Sequence, residues 1–507
     1  MTAHDDTLRG LTCGFAASAK GKLGGGLSGD GDADSRMLIS QMSAIYRFTG
    51  LTVLITLVFA TGCSNAPKDA GFSSVRQTVG ERTGQIIQWR SDTAEDAAAD
   101  TSVRQMLSQP ITADQAVQIA LLNNHGLQAT FEDLGIARAD LVQAGLLRNP
   151  VFNLSVRIPD RLPSKTYIDF AVAEDFLDIF LVPARRRIAE AQFAQAKSRV
   201  THEVLMLAAK TRSAYYQYQA AQQVLELRRT AAEAAAASLD AARGLHDAGN
   251  MTPVDYLTEE SQDARAQADL TSADGEAAEA RERLNQLMGV WGLQLNWAAT
   301  PHLPELPETE PPEGGLEELA VSQRLDLAAA RQQELAEARA LGLTEQTRFL
   351  SGAEVGPEAE RETDGQWRIG PTLLVPVPLF DQGQAAVARA LAQLRQSSRR
   401  SEALAADVRL QVRMSAQRMH NARVRVEYYR EHVLPIQQKL VHQTQLEYNA
   451  MLAGVFRLLQ ARRDQIEMAR EYVTALRDYW VAVAELEEAV GGRLPGGEPP
   501  LTQPSGR

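Results

Sequence analysis

The second half of the chain repeats the first about 200 residues later, and this duplication limits the fold more than any single motif. Each half reads short helix, alternating strand, polar loop, alternating strand, very long Ala-rich helix, glycine-bearing turn and returning helix. The turns show the correspondence best. Ala248-Gly249-Asn250-Met251-Thr252-Pro253-Val254-Asp255-Tyr256-Leu257 stands against Met451-Leu452-Ala453-Gly454-Val455-Phe456-Arg457-Leu458-Leu459. The polar helix after each turn ends alike, at Leu284–Gly289 and at Leu486–Gly492. A unit present twice predicts one elongated pseudo-twofold body rather than the several domains that 507 residues would otherwise suggest.

The strands carry the strongest chemical signal. In Phe152–Ile158, Phe152, Leu154, Val156 and Ile158 alternate with Asn153, Ser155 and Arg157. In 166–177, Ile168, Phe170 and Val172 oppose Asp169, Ala171 and Ala173. The second half is expected to supply strands over 349–355 and 367–375, separated by a charged loop over 357–366. In the latter strand Trp367, Ile369, Leu373 and Val375 oppose Arg368, Gly370 and Thr372. A period of two with one apolar and one polar face suits a barrel wall between lipid and water. Four strands cannot close such a wall, because the smallest membrane barrels need about eight and lipid tolerates no open edge. Copies of the chain must therefore share it, and three copies would give about twelve strands.

The helices are too long for an ordinary domain. From Ala184 to about His246 no proline intervenes, which spans roughly 95 Å. A similar run from Gln382 to about Ala450 contains Pro435, where a kink or break is expected. Val200, Val204 and Leu207 mark a coiled-coil-like seam with Ala allowing close approach. Thr112-Ala113-Asp114-Gln115 reads as a capping box, and 317–347 is the matching short helix of the second half.

At the N-terminal end, Arg47 precedes the apolar run 51–59, too short to span a bilayer as a helix and suited to a signal peptide. The run ends Ala60-Thr61-Gly62-Cys63, a lipobox-like sequence that makes Cys63 the expected lipidation site. Met1, Met37 and Met42 are alternative starts. The domain reading is an extension and signal peptide over 1–62, a flexible segment over 63–109, a first repeat over 110–300, a linker over 301–315, a second repeat over 316–492 and a disordered tail over 493–507. The formal net charge of −12 argues against nucleic acid as a partner. The basic runs at 185–187 and 399–400 are flanked by acids and read as solvated faces. No nucleophile elbow, phosphate loop or zinc spacing is present, so no catalytic residue, cofactor or metal site is assigned. His420, His432, His442, Met414 and Met419 read as helix surface or core.

This order of elements resembles the TolC-like outer-membrane efflux family, including its lipoprotein branch, over about 110–492. The paired turns, Ala144–Pro150 leading into the first strand and Pro378–Gly383 leading out of the fourth carry the resemblance. It implies a mostly α fold with membrane β structure: a homotrimer with a twelve-stranded β-barrel in the outer-membrane lipid, continuous with an α-helical barrel in the periplasm. It further implies a passive duct for small molecules or metal ions, docked to a periplasmic adaptor and an inner-membrane efflux pump. Carried onto this chain, the adaptor-docking tips are Gly249, Asn250, Met251, Thr252, Pro253 and Val254, with Ala453, Gly454, Val455 and Phe456. The family's acidic periplasmic gate maps to Asp255, whereas Arg457 departs from that pattern and is expected to pair with Asp255 or Asp464. A lipid-anchored periplasmic adaptor or coiled-coil scaffold is the competing reading. It explains the leader and the helices but not four alternating strands placed between helices.

Overall fold

The computed structural model describes residues 69–91, 93–160, 165–173, 178–308, 314–349 and 353–494, all within one unit. The leader, Cys63 and the tail beyond Leu494 lie outside the described residues. The first half contains α1 (Phe72–Thr83), α2 (Ala94–Leu107), α3 (Ala113–Asn123), α4 (His125–Ala144), β1 (Val151–Arg157), β2 (Tyr167–Ala173), α5 (Asp178–Asp247) and α6 (Pro253–Met288). The second contains α7 (Leu316–Gln323), α8 (Leu325–Thr347), β3 (Glu354–Arg361), β4 (Trp367–Leu374), α9 (Gln384–Tyr428), α10 (Leu434–Asn449) and α11 (Val455–Val490). From α3 onward the second half follows the order of the first.

Two expectations need correction. The segment 63–109 is not loosely ordered where it is described. Its apolar residues are sparse, yet Phe72, Val75, Val79 and Ile87 pack with Val117, Leu121, Phe131 and Leu134 into a buried cluster over α5. Short helices with few apolar residues show weak periodicity, and only this tertiary partner makes them stable. The third strand is also displaced. It runs Glu354–Arg361 through the segment expected to be a charged loop, because its many acids lie on the sheet's polar face. Pro357 stands opposite Pro371, so that position must be a non-hydrogen-bonded pair, where neither strand needs an N–H toward the other.

The long helices are as extended as expected. α5 has 70 residues, roughly 105 Å, and begins earlier than expected, carrying Pro183 near its start. At Pro435 the second-half helix neither breaks nor ends. Pro435 has no N–H, and its ring would crowd the Glu431 carbonyl. The chain widens to a π-turn over Tyr429–Val433, where the Leu434 N–H donates to the Tyr429 carbonyl, and α10 continues beyond.

The short helices are each broken by one extended residue, Asn124 or Arg324, and each break caps a returning helix. Asn123 Nδ2 donates to the Gly289 carbonyl at 2.7 Å, and Asn124 Nδ2 donates to that of Leu287 at 2.9 Å. In the second half Arg324 reaches the Ala489 carbonyl at 3.5 Å, and Arg82 of α1 donates to the carbonyls of Gln323 and Gly491 at 2.7 and 2.9 Å. The terminal carbonyls of α6 and α11, which have no partner within their own helices, are thereby satisfied. Both helices end on a left-handed glycine, Gly289 at φ 66° and Gly491 at φ 86°. The capping box at Thr112 forms as expected, with the Gln115 N–H donating to Thr112 Oγ1 and the Thr112 N–H to Gln115 Oε1.

Two stability predictions follow from these breaks. A Cβ on Gly289 would lie 2.8 Å from the Asn123 carbonyl oxygen, whereas one on Gly249 (φ 74°) meets open space. Gly249→Ala should carry only the left-handed backbone cost, roughly 1–2 kcal/mol. Gly289→Ala should be clearly worse, so thermal unfolding should rank wild type above Gly249→Ala above Gly289→Ala. Burial alone would raise the Asp326 carboxyl, but the Arg324 guanidinium, bonded to both its oxygens, holds it below the ordinary carboxylate range. A depressed folded pKa stabilises above the unfolded value of about 3.9, and that contribution is lost as pH falls through the folded value. Asp326→Asn should therefore melt below wild type at neutral pH, with the gap closing in acid below about pH 4.

Candidate membrane surface and helical tips

The four strands form one antiparallel sheet in the order β1-β2-β3-β4. Its register sorts the side chains without ambiguity. Phe152 pairs with Val172, Leu154 with Phe170, Val156 with Ile168, Phe170 with Ala359, Ala359 with Ile369, and Val355 with Leu373. All of these share one face. The other face carries Asn153, Ser155, Arg157, Tyr167, Asp169, Glu354, Glu358, Glu360, Arg368 and Thr372. The apolar face is not covered by the chain's own helices: Phe152, Leu154, Val156, Trp367, Ile369 and Leu373 are all exposed. A contiguous exposed patch of this kind marks a partner or a membrane. Arg361 is the charged exception on that face. It sits at a strand end opposite Trp367, where a long side chain can keep its charge in water at a membrane boundary.

On the polar face acids outnumber bases. Asp169 stands directly opposite Glu360, a like-charged pair that is unfavourable unless cations or solvent screen it. Tyr167 donates to Glu360 at 3.2 Å, and Thr372 donates to Glu358. The edges of β1 and β4 have no partner strand among the described residues. No described helix is long and apolar enough to cross a membrane.

At the far ends of the long helices lie the two turns. In the first, Gly249 adopts φ 74°, and the Asn250 N–H donates to the Leu245 carbonyl at 2.8 Å. Thr252 then caps α6, with Pro253 in its first turn. Asp255 is occupied at this cap: its carboxylate accepts from Thr252 Oγ1 at 2.7 Å, while its N–H donates to the same hydroxyl. In the second turn the left-handed position falls on Met451 (φ 60°), and Gly454 takes the cap position of Thr252. The conformational counterpart of Gly249 is thus Met451, not the glycine of the second turn. Met451 is 93 % exposed and Leu452 77 %, with Val254 and Leu257 also exposed.

Contrary to expectation, Arg457 pairs with neither Asp255 nor Asp464. It reaches Glu447 on α10 at 3.4 Å, closing its own hairpin, while Asp464 accepts from Gln460 at 2.8 Å. The nearby link between the two halves is one that sequence reasoning missed. Glu259 of α6, buried, accepts from Ser238 of α5 at 2.6 Å and from Arg463 of α11 at 2.8 Å. Nothing local marks these residues, since Glu259 and Arg463 are joined only by folding. Higher up, Arg228 binds Glu467 and Asp269 at 3.1 and 3.4 Å, and Tyr429 of the π-turn donates to Glu471. Met419 is core and Met414 exposed, and no cluster of metal-ligating residues occurs among the described residues.

Comparisons with known proteins agree with this geometry. Residues 116–290 match the family model described as outer membrane efflux protein. The cobalt-zinc-cadmium resistance protein CzcC of Cupriavidus metallidurans is 23 % identical over 397 residues, covering 75 % of this chain and 90 % of that protein. Among solved structures, a membrane protein of Pseudomonas aeruginosa superposes with a TM-score of 0.63 at 19 % identity, covering 77 % of this chain and 93 % of the other. The Campylobacter jejuni CmeC outer membrane channel superposes at 0.64 with 14 % identity, covering 82 % and 92 %. With its doubled hairpin-and-long-helix plan and its bare apolar sheet, the chain has the fold of these outer-membrane channels, and its residues 116–290 match the outer membrane efflux protein family.

Proposed function

We propose that the chain is the outer-membrane duct of an export system, a passive trimeric conduit from periplasm to exterior. The observation that carries this reading is the four-stranded sheet with a bare apolar face and two edges that have no partner strand among the described residues. In lipid every strand edge must be paired, so β4 of one copy must meet β1 of the next until the wall closes. The family plan supports three copies. A periplasmic adaptor or scaffold has no use for such a sheet, and that reading is not favoured.

Docking to a periplasmic adaptor, and through it to an inner-membrane pump, falls to the exposed tips around 249–254 and 453–456. Val254 and Leu257 at the first turn and Met451 and Leu452 at the second are exposed. Asp255, Arg457 and Asp464 stand next to these turns and would face the periplasmic entrance. The buried Glu259–Arg463 pair would hold the two hairpins together behind them. Lipidation at Cys63 would add an anchor to the same membrane. For cargo we propose divalent metal ions, because the CzcC relative bears the name of a cobalt-zinc-cadmium resistance protein and the polar sheet face is rich in carboxylates. Passage needs no covalent chemistry: such a lumen concentrates cations by its field.

Two outcomes test the duct. Detergent-solubilised protein from outer membranes should have the light-scattering mass of three chains and conduct in planar bilayers, more strongly in an Asp255→Ala, Arg457→Ala variant. A monomer, or no conductance from trimers of that variant, would sink the reading. The conductance should favour cations, and Glu358→Gln with Glu360→Gln should move the reversal potential in a salt gradient toward zero. Unchanged selectivity in that variant would remove the lumen carboxylates from the account.

A further inference from the structure

The described strands are short for a membrane wall. They hold seven or eight residues each, which at the usual barrel tilt rise roughly 18–20 Å, against an apolar band of about 25 Å in such barrels. The remainder lies toward the helices. At their hairpin ends the strands meet Asp160, Lys165, Glu362 and Asp364. At the opposite ends they meet exposed apolar residues: Leu147 before β1, Ile179 and Phe180 at the start of α5, and Val377, Leu379 and Phe380 between β4 and α9.

On the helical side of this girdle the charge reverses. In a chain of net charge −12, residues 178–200 hold five cations against two acids, and residues 381–402 four against two. Contacts place the uppermost arginines at one level. The buried Asp178 accepts from the Arg148 N–H at 3.3 Å and from Arg185 at 2.8 Å, so Arg148 stands beside the start of α5. Arg339 of α8 donates to the Arg187 carbonyl. A Cβ on Gly383, just before α9, would lie 2.6 Å from Arg348 Cβ, and Arg389 follows about 8 Å into α9. Of the acids here, Asp178 is held by those arginines, Glu190 by Arg186 at 3.2 Å and Asp381 by the Gly383 N–H at 2.9 Å, while Asp140 and Glu345 are exposed. Arg187, Arg348 and Arg389, all exposed, have no ion-pair partner among the described residues. On α5 the two layers share a face. Ile179 and Phe180 precede Arg186 and Arg187 by seven residues, so each apolar side chain stands about 10 Å along the axis from its arginine, on the same side of the helix. That is about the depth over which a bilayer passes from tails to headgroups.

We propose that Arg187 and Arg389, with Arg186 and Arg348 beside them, bind the phosphates of anionic phospholipids in the periplasmic leaflet of the outer membrane. This rests on the outer-membrane duct proposed above and adds lipid selectivity to it. Phosphatidylethanolamine carries an ammonium next to its phosphate, whereas phosphatidylglycerol keeps a net negative charge for an unpaired guanidinium. The exposed Ile179 and Phe180 cover the tails of the same lipids.

The full-length protein in vesicles of phosphatidylethanolamine with a minority of phosphatidylglycerol tests it. Trimers released from them in mild detergent should carry more phosphatidylglycerol, counted by native mass spectrometry, than the bulk lipid provides. Arg187→Gln with Arg389→Gln should lower that enrichment roughly fivefold or more, the effect of one arginine at an anionic surface. Arg187→Lys with Arg389→Lys should keep most of it. Bulk proportions in wild-type trimers, or equal enrichment in the Gln variant, would overturn lipid binding at these arginines and leave the duct standing. Arginines directed into the lumen would give that result. A Lys variant as poor as the Gln variant would assign these side chains a packing role and overturn the inference likewise. Wild-type protein that neither floats with the vesicles nor forms trimers would overturn the duct, and this inference with it.

Discussion

Everything in this chain depends on where the backbone hydrogen bonds of its sheet can go. Four strands paired in sequence leave the outer sides of β1 and β4 without partners among the described residues, and the face they share is apolar and bare. In water such a sheet would aggregate, and in lipid each unpaired N–H or C=O costs several kcal/mol. In the proposed duct, closure by further copies would remove both problems at once. The polar face would then line the lumen, where carboxylates such as Asp169 and Glu360 could stand side by side in water.

The helical part solves the analogous problem at helix ends. Two returning helices finish deep in the structure, and each leaves carbonyls that its own turns cannot satisfy. The one-residue breaks at Asn124 and Arg324 place side chains under those ends, and left-handed glycines let the chain turn away against them. The same device appears in both halves with different chemistry, amide in one and guanidinium in the other. The N-terminal helices complete the second version by contributing Arg82. Their role also shows how the pseudo-symmetry is broken, since the groove that α1 helps to cover in the first half has an open counterpart in the second.

Much of the plan was legible because long, strongly periodic segments report their own environment. The alternation in 152–158 assigns faces that the register reproduces, and proline-free Ala-rich runs are continuous helices. Errors arose where the partner lies far away in sequence. The third strand is displaced because a strand with Glu at alternate positions resembles a charged loop when read alone. The helices of 72–107 were missed because their few apolar residues become a core only against α3, α4 and α5. Pro435 was recognised as a disturbance, but its resolution as a π-turn depends on the helix being held on both sides of it. At the tips, Gly249 and Thr252 were readable as turn and cap, whereas the partner of Arg457 was not. Several acids are within its reach in sequence, and only the geometry of the hairpin selects Glu447.

The amino-acid sequence by itself determined the duplication, the two-faced strands and the length of the helices, because each follows from local periodicity that no tertiary contact has to supply. The tertiary structure alone decided the β2–β3 register that joins the two hairpins into one sheet, the buried Glu259–Arg463 link and the unequal grooves of the two halves. Those depend on residues a hundred or more positions apart meeting in space, and the energetic terms that bring them together, burial and the satisfaction of buried polar groups, are properties of the folded arrangement rather than of any segment.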